Sequence, residues 1–214
     1  MKAFELKGVS FSYPGGEKIL DSLELSIEEG QFVCITGANG SGKSTLALLL
    51  NSLLKPTEGS VNIFGLEDDF EIKKNVQLVF QDPESSFVSD TVERDVAFGP
   101  ENLCLEPSEI RKRVDGALSL LGIEEFSEKR VNILSGGQKQ LVSLAGALAL
   151  KPRALVLDES LSMLDAASRS RVCGVLKKLC RKDGVTVVMI THRLEEESLS
   201  DCVYEMREGR CIRT

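Results

Sequence analysis

Polar and apolar residues alternate through about the first thirty positions: Ala3, Glu5 and Lys7 stand against Phe4, Leu6 and Val9, and Ile19, Leu23, Leu25 and Ile27 follow a Pro14-Gly15-Gly16 turn. A period of two is that of half-buried antiparallel strands. From Gln31 the pattern changes. Residues 32–36 form an unbroken run dominated by apolar residues, the pattern of a strand buried on both faces. A glycine-rich turn and a helix from about 43 to 53 are expected to follow. Runs of the same kind at 77–80, 154–157 and 185–190 are separated by helical stretches, which predicts an α/β body with a largely parallel sheet. Between Gln81 and Leu150 the strand signals stop. Ile110, Val114, Ala117, Leu118 and Leu121 recur at helical spacing with charges between them, and 135–150 reads as a second long helix. The expected organisation is one domain over residues 1–214, with an antiparallel β-subdomain at its start and a helical subdomain inserted at about 82–150.

Composition narrows the possibilities. The 214 residues are 42% hydrophobic and 28% charged, which suits a folded globular chain. The net charge of −7 and the lack of any basic stripe exclude nucleic acid as the expected partner. The apolar stretches at 46–50 and 141–150 fall short of the ~20 residues a spanning helix needs, and no apolar segment follows Met1 to make a leader. A cytosolic protein is expected, one that reaches a membrane only through a partner. Six cysteines lack C-x-x-C spacing and are expected to be free thiols acting as small core residues. The one histidine, His192, cannot belong to a histidine cluster.

Residues Gly37, Ala38, Asn39, Gly40, Ser41, Gly42, Lys43 and Ser44 match G-x-x-x-x-G-K-[ST] between an expected strand and an expected helix, the setting of a P-loop. Glycines let successive backbone N–H groups turn toward one phosphate, and the helix N-terminus adds about half a positive charge there. Lys43 then reaches the β- and γ-phosphates, and Ser44 takes a place on Mg²⁺. The run Leu155-Val156-Leu157-Asp158-Glu159 delivers Asp158 to the C-terminal edge of the sheet, where it can hold the same ion. Glu159, diverging from its neighbour, is better placed to polarise an attacking water. Ser135 and Gln138 form a capping box at the start of a helix, yet the box leaves Gly136 and Gly137 unexplained in a first turn they weaken. A helix N-terminus bare of side chains is a second candidate anion site.

Together these motifs resemble the ABC-type ATPases: the P-loop, Gln81 after an apolar strand, the Leu134-Ser135-Gly136-Gly137-Gln138 signature ending twenty residues before Asp158, and His192 after another strand. The resemblance covers essentially the whole chain and implies a P-loop NTPase core that binds ATP and Mg²⁺. It also implies a head-to-tail dimer, identical or with a sister ATPase. Each ATP would lie between Gly37–Thr45 of one subunit and Ser135, Gly136, Gly137 and Gln138 of the other. Further roles carry over by position: Tyr13 stacks on adenine unless it is a plain strand-end tyrosine, Gln81 senses metal and water, and Asp165 belongs to the loop that crosses to the partner. His192 contacts the γ-phosphate and Glu159 is the base. Two positions depart from the family pattern. Leu141 stands where arginine is usual and Ser160 where proline is usual, which implies an altered rate or dimer affinity rather than lost catalysis.

The segment from Phe80 through Asn102 resembles that of the energy-coupling factor (ECF) transporter ATPases, which drive uptake of vitamins and of cobalt or nickel. That resemblance implies a transmembrane coupling component and a substrate-binding membrane protein as partners, at the cytoplasmic face of the membrane. Phe87, Val92 and Val96 are the expected apolar contacts with the partner, unless they pack the helical subdomain instead. Other ABC transporters and soluble ABC ATPases are the alternatives. Many ECF ATPases carry a further C-terminal segment joining their subunits, which this chain, ending at Thr214, is not expected to supply.

Overall fold

The computed structural model describes the backbone of residues 1–214 and every side chain but that of Ser85, which lies in the 80–102 segment. Two compact units emerge: Met1–Leu78 with Arg153–Glu159 and Lys177–Thr214, and Val79–Pro152 with Ser160–Leu176.

In the first unit, β1 (Lys2–Ser12) pairs antiparallel with β2 (Lys18–Glu28) and, on its other edge, with β4 (Glu58–Ile63). The alternation of the first thirty residues supplies β1 and β2. The polar run of β4, with only Ile63 buried, gave no sequence signal. The second sheet has six strands in the order β5-β6-β7-β3-β8-β9: β3 (Phe32–Gly37), β5 (Val76–Val79), β6 (Ala154–Asp158), β7 (Thr186–Ile190), β8 (Cys202–Arg207) and β9 (Arg210–Arg213). Its centre is parallel, β6 beside β7 and β3 between β7 and β8, while β9 returns antiparallel to β8. The fully buried pattern of β6 and β7 explains why both read as continuous apolar runs.

Helix α1 (Lys43–Leu50) is shorter than expected, because the chain turns at Asn51 and Ser52, the latter at φ +58°. Leu46, Leu49 and Leu50 of α1 join Phe4, Leu6, Leu20 and Ile27 of the small sheet and Val33, Ile35, Val156 and Val188 of the large one in a single core. Helix α2 (Asp69–Asn75), with Asp69 and Glu71 in its first turn and Lys73 and Lys74 in its last, is capped by Asp68, whose side chain accepts from Glu71 N–H. A short α7 (Leu194–Glu197) follows β7.

The second unit is helical: α3 (Val92–Asn102), α4 (Pro107–Leu121) and α5 (Gly136–Ala149) pack on one another. Helix α4 begins with a proline and ends on left-handed Gly122 (φ +67°), residues suited to a helix start and stop. Val92 and Val96 are wholly buried in α3, so the expectation that they face a partner is corrected. They share a helix face with Pro100 and supply the core that the packing of α3 on α4 and α5 demands. Helix α6 (Ala166–Asp183) contributes residues up to Leu176 to this unit. Among the described residues no helix is long and apolar enough to cross a membrane, and none of the six cysteines is in a disulfide. Cys104 is exposed, contrary to the expected core role.

Pairing of β4 with β1 depends on a close backbone approach. At Gly59 (φ +82°) a Cβ would lie 2.4 Å from the Gly8 carbonyl oxygen and 2.5 Å from that of Lys7, whereas at Gly65 (φ +70°) it would meet nothing within 4 Å. Gly59→Ala is expected to cost about 2–4 kcal/mol in urea unfolding, and Gly65→Ala about 1 kcal/mol from its φ alone. Equal losses at the two positions would refute the clash.

Candidate nucleotide site

Three parallel strands build the site. In register, Asp158 pairs with Ile190, and Ile190 with Ile35, so β6, β7 and β3 end together at their C-terminal edge. The loop after β3, the turn after β6 and the turn after β7 therefore emerge side by side, the usual place for ligands in an open α/β sheet.

After β3 the chain passes the exposed residues Ala38, Asn39 and Gly40 and enters α1 through Gly42. Gly42 has φ +99°, and a Cβ there would lie 2.8 Å from the Leu20 side chain, so glycine is required on both counts. Lys43 is 5% exposed, and its Nζ donates to the carbonyls of Gly37 and Ala38, 2.9 Å to each. The ammonium is thereby held across the mouth of its own loop. The buried Ser41 hydroxyl has no hydrogen-bond partner among the described residues. Ser44 is exposed, while Thr45 behind it is buried.

Asp158 ends β6 and is buried. Burial pushes its carboxyl above the ordinary range, the Ser44 hydrogen bond opposes this, the Glu159 charge adds to the rise, and Lys43 opposes it again. Glu159 takes the left-handed conformation at φ +48°, uncommon for a residue with a Cβ, and its N–H donates to Ile190 O at 3.1 Å. That turn sends the two adjacent carboxylates apart: Asp158 toward Ser44, Glu159 toward His192, whose Nε2 lies 2.8 Å from Glu159 Oε1. Since a carboxylate accepts, the ring nitrogen donates. Tyr13, at the end of the small sheet, is 41% exposed and meets Phe11 edge-on with centroids 5.0 Å apart.

The other predicted residues belong to the second unit. Gln81 is exposed beyond β5. Ser135 caps α5, accepting from Gln138 N–H at 3.3 Å while its own N–H donates to Gln138 Oε1 at 2.9 Å. The two glycines that the capping box left unexplained face the loop after β6: a Cβ on Gly137 would lie 3.0 Å from Met163 O, and one on Gly136 3.3 Å from Met163 Sδ. Asp165 accepts from the Ser168 N–H at 2.9 Å and hydroxyl at 2.8 Å, which hold its carboxyl below the usual range at the start of α6. Ser135, Gln138, Leu141, Met163, Asp165 and Arg171 border an open cleft of about 740 Å³. Leu141, where arginine was the family expectation, is buried there, and Ser160 is 2% exposed.

Sequence reasoning missed three polar residues. Gln140 is 1% exposed and donates from Nε2 to Phe80 O at 3.1 Å, tying α5 to the residue before Gln81. Thr191 and Glu196 are buried on either side of His192 in sequence. A polar residue within an apolar period was the available signal for Gln140. For Thr191 and Glu196 there was none, because α7 is too short to show a period.

A family model described as ABC transporter matches residues 20–162. The energy-coupling factor transporter ATP-binding protein EcfA of Methanosarcina acetivorans is 48% identical over 212 residues, which span 97% of this chain and 77% of that protein. The cobalt import ATP-binding protein CbiO of Syntrophus aciditrophicus is 43% identical over 98% of this chain and 76% of that protein. Among solved structures, CbiO1 of Clostridium perfringens, part of the ABC transporter complex CbiONQ, matches with a TM-score of 0.88 and 34% identity, covering 99% of this chain and 87% of that one. The cassette MJ0796, solved as a dimer in a post-hydrolysis state with ADP and phosphate, matches at 0.89 and 33% identity over 97% of this chain and 96% of that one. With that family model and these relatives beside the glycine-rich loop, the two strand-end carboxylates and the sheet order, the chain belongs to the ABC transporter ATPase family.

Proposed function

We propose that this chain is the ATP-hydrolysing subunit of an ECF-type importer of a vitamin or transition-metal ion, working in a dimer against a transmembrane partner. The observation that carries the reading is the divergence of Asp158 and Glu159 beside Lys43, Ser44 and His192 at one sheet edge. Relatives named for energy-coupling factor transport and cobalt import support the transport assignment.

The residues suit a nucleotide triphosphate with Mg²⁺. A buried, unsatisfied Ser41 hydroxyl and a Lys43 ammonium resting on two neutral carbonyls are both better satisfied by phosphate oxygens. The Ser44 hydroxyl and the Asp158 carboxylate are hard oxygen donors already in contact, the set Mg²⁺ takes alongside phosphate. When bound, the ion neutralises charge on the β- and γ-phosphates. Glu159 accepts a proton as a water oxygen forms its bond to the γ-phosphorus, the bond to the β-bridging oxygen breaks, and ADP departs. His192 turns its Nε2–H from Glu159 to the γ-phosphate, so the bond between them belongs to the resting site. Catalysis rests on positioning and charge stabilisation. Tyr13 serves as the adenine platform and Gln81 orients the water. Ser135, Gly136, Gly137 and Gln138, with Asp165, serve the ATP of the opposite subunit. Phe80, Val88 and Phe98, all more than a third exposed, take the partner-facing role first expected of Val92 and Val96.

Glu159→Gln should bind ATP, lose at least about 10²-fold in hydrolysis and accumulate as an ATP-bound dimer on gel filtration. An unchanged rate of phosphate release removes Glu159 as the base. Asp158 yields a second, opposite-signed prediction. Its raised pKa means that the folded protein holds this proton more tightly than the unfolded chain, so stability from this group falls as pH rises through the folded value. Asp158→Asn should therefore melt a few degrees above the parent protein at about pH 8 without nucleotide, with the gap closing toward about pH 4. The same variant should lose Mg²⁺-dependent ATP hydrolysis. A lower melting temperature at the higher pH would contradict the burial argument.

A further inference from the structure

The turn after β7 carries His192 between two residues that share one buried carboxylate. Glu196, 4% exposed in α7, accepts from the Thr191 hydroxyl, and its Oε1 lies 4.0 Å from Arg193 Nε. Because a carboxylate only accepts, the Thr191 proton must point to Glu196, which leaves the hydroxyl oxygen free to receive the Arg193 N–H at 3.0 Å. The hydroxyl is thus oriented by Glu196 and in turn pins the peptide that follows His192. Thr191 N–H donates to Ile35 O at 3.1 Å, two residues before Gly37, and Cys34 Sγ donates to Glu196 O at 3.5 Å. Both ends of the turn are therefore fastened to β3, the strand that leads into the nucleotide loop. His192 itself has a half-exposed ring whose Nε2 is bonded to Glu159 Oε1. An imidazole that must leave Glu159 for a phosphate needs a fixed pivot, and the chain on both sides of it is held by the Glu196 side chain.

We propose that Glu196 is the positioning residue for His192: through the Thr191 hydroxyl and Arg193 it fixes the turn about which the imidazole swings between Glu159 and the nucleotide. A buried carboxylate has no other evident reason to occupy a four-residue helix, since it is costly to bury unless its bonds do something specific. This rests on the reading of His192 as the γ-phosphate contact.

The test uses the solitary histidine. In tag-free protein, the imidazole Cε1–H resonance reports on His192 alone. Glu196→Ala should move and broaden that resonance and lower kcat about tenfold or more with KM for ATP within about twofold. Glu196→Gln, whose amide oxygen can still accept from Thr191, should restore both. Thr191→Val removes the hydroxyl at nearly constant volume and should reproduce the Glu196→Ala shift, which covers the case in which the alanine variant does not fold. A parental resonance in folded Glu196→Ala or in Thr191→Val overturns the proposal whatever the rate. A His192→Ala control separates the two claims: if it leaves kcat unchanged, the phosphate role fails, while the resonance still decides whether Glu196 positions the ring.

Discussion

The parallel pairing of β6, β7 and β3 is the constraint on which the rest depends. Because Asp158, Ile190 and Ile35 lie level across three strands, a buried carboxylate, a histidine turn and a glycine-rich loop leave the sheet at one edge. A slip of β6 by one residue would turn its side chains to the opposite faces, placing Leu157 where Asp158 meets Ser44. The register is held by burial: every residue of β6 and β7 is buried, and Val156, Val188 and Val33 pack in the same core as the small sheet. A core large enough to fix the register also carries the cost of the polar groups at its edge.

Those costs concentrate at the candidate site. Asp158 is buried with its pKa raised, Glu159 is held at φ +48°, Ser41 keeps an unmet hydroxyl and Lys43 rests on carbonyls. Each is a small loss to the free protein, of the order of 1–3 kcal/mol where measured in other proteins. Phosphate oxygens with a divalent ion are the ligand chemistry that would meet three of them, the Ser41 hydroxyl, the Lys43 ammonium and the Asp158 carboxylate.

Much of this was legible in the sequence, for reasons that differ by element. The buried strands β3, β6 and β7 read clearly because both faces are covered and their composition is uniformly apolar. The P-loop and the capping box read clearly because backbone geometry admits few residues there. Strand β4 did not, since it pairs through its backbone at Gly8 and Gly59 and buries little but Ile63. Val92 and Val96 were read as partner contacts because one sequence cannot say which face of a helix its neighbours cover. Packing of α3 against α4 and α5 decided that. Glu196 was invisible for a related reason: an acidic run in a four-residue helix looks solvated until tertiary structure buries one member of it.

Gly136 and Gly137 carry the same lesson into the second unit. Capping explains Ser135 and Gln138, and an anion site would explain bare glycines, but the nearest atoms to the missing side chains are those of Met163. The loop after β6 therefore lies against the helix start that the family resemblance assigns to the opposite ATP. An alanine at position 137 would have to displace the Met163 carbonyl, one residue before Leu164 and two before Asp165, both of which line the cleft. The start of α5 and the loop after β6 thus form one packed surface, in which a shift of either obliges the other to follow. A site completed by a second subunit needs that property, because two separately mobile loops would each have to be ordered again every time the dimer closes.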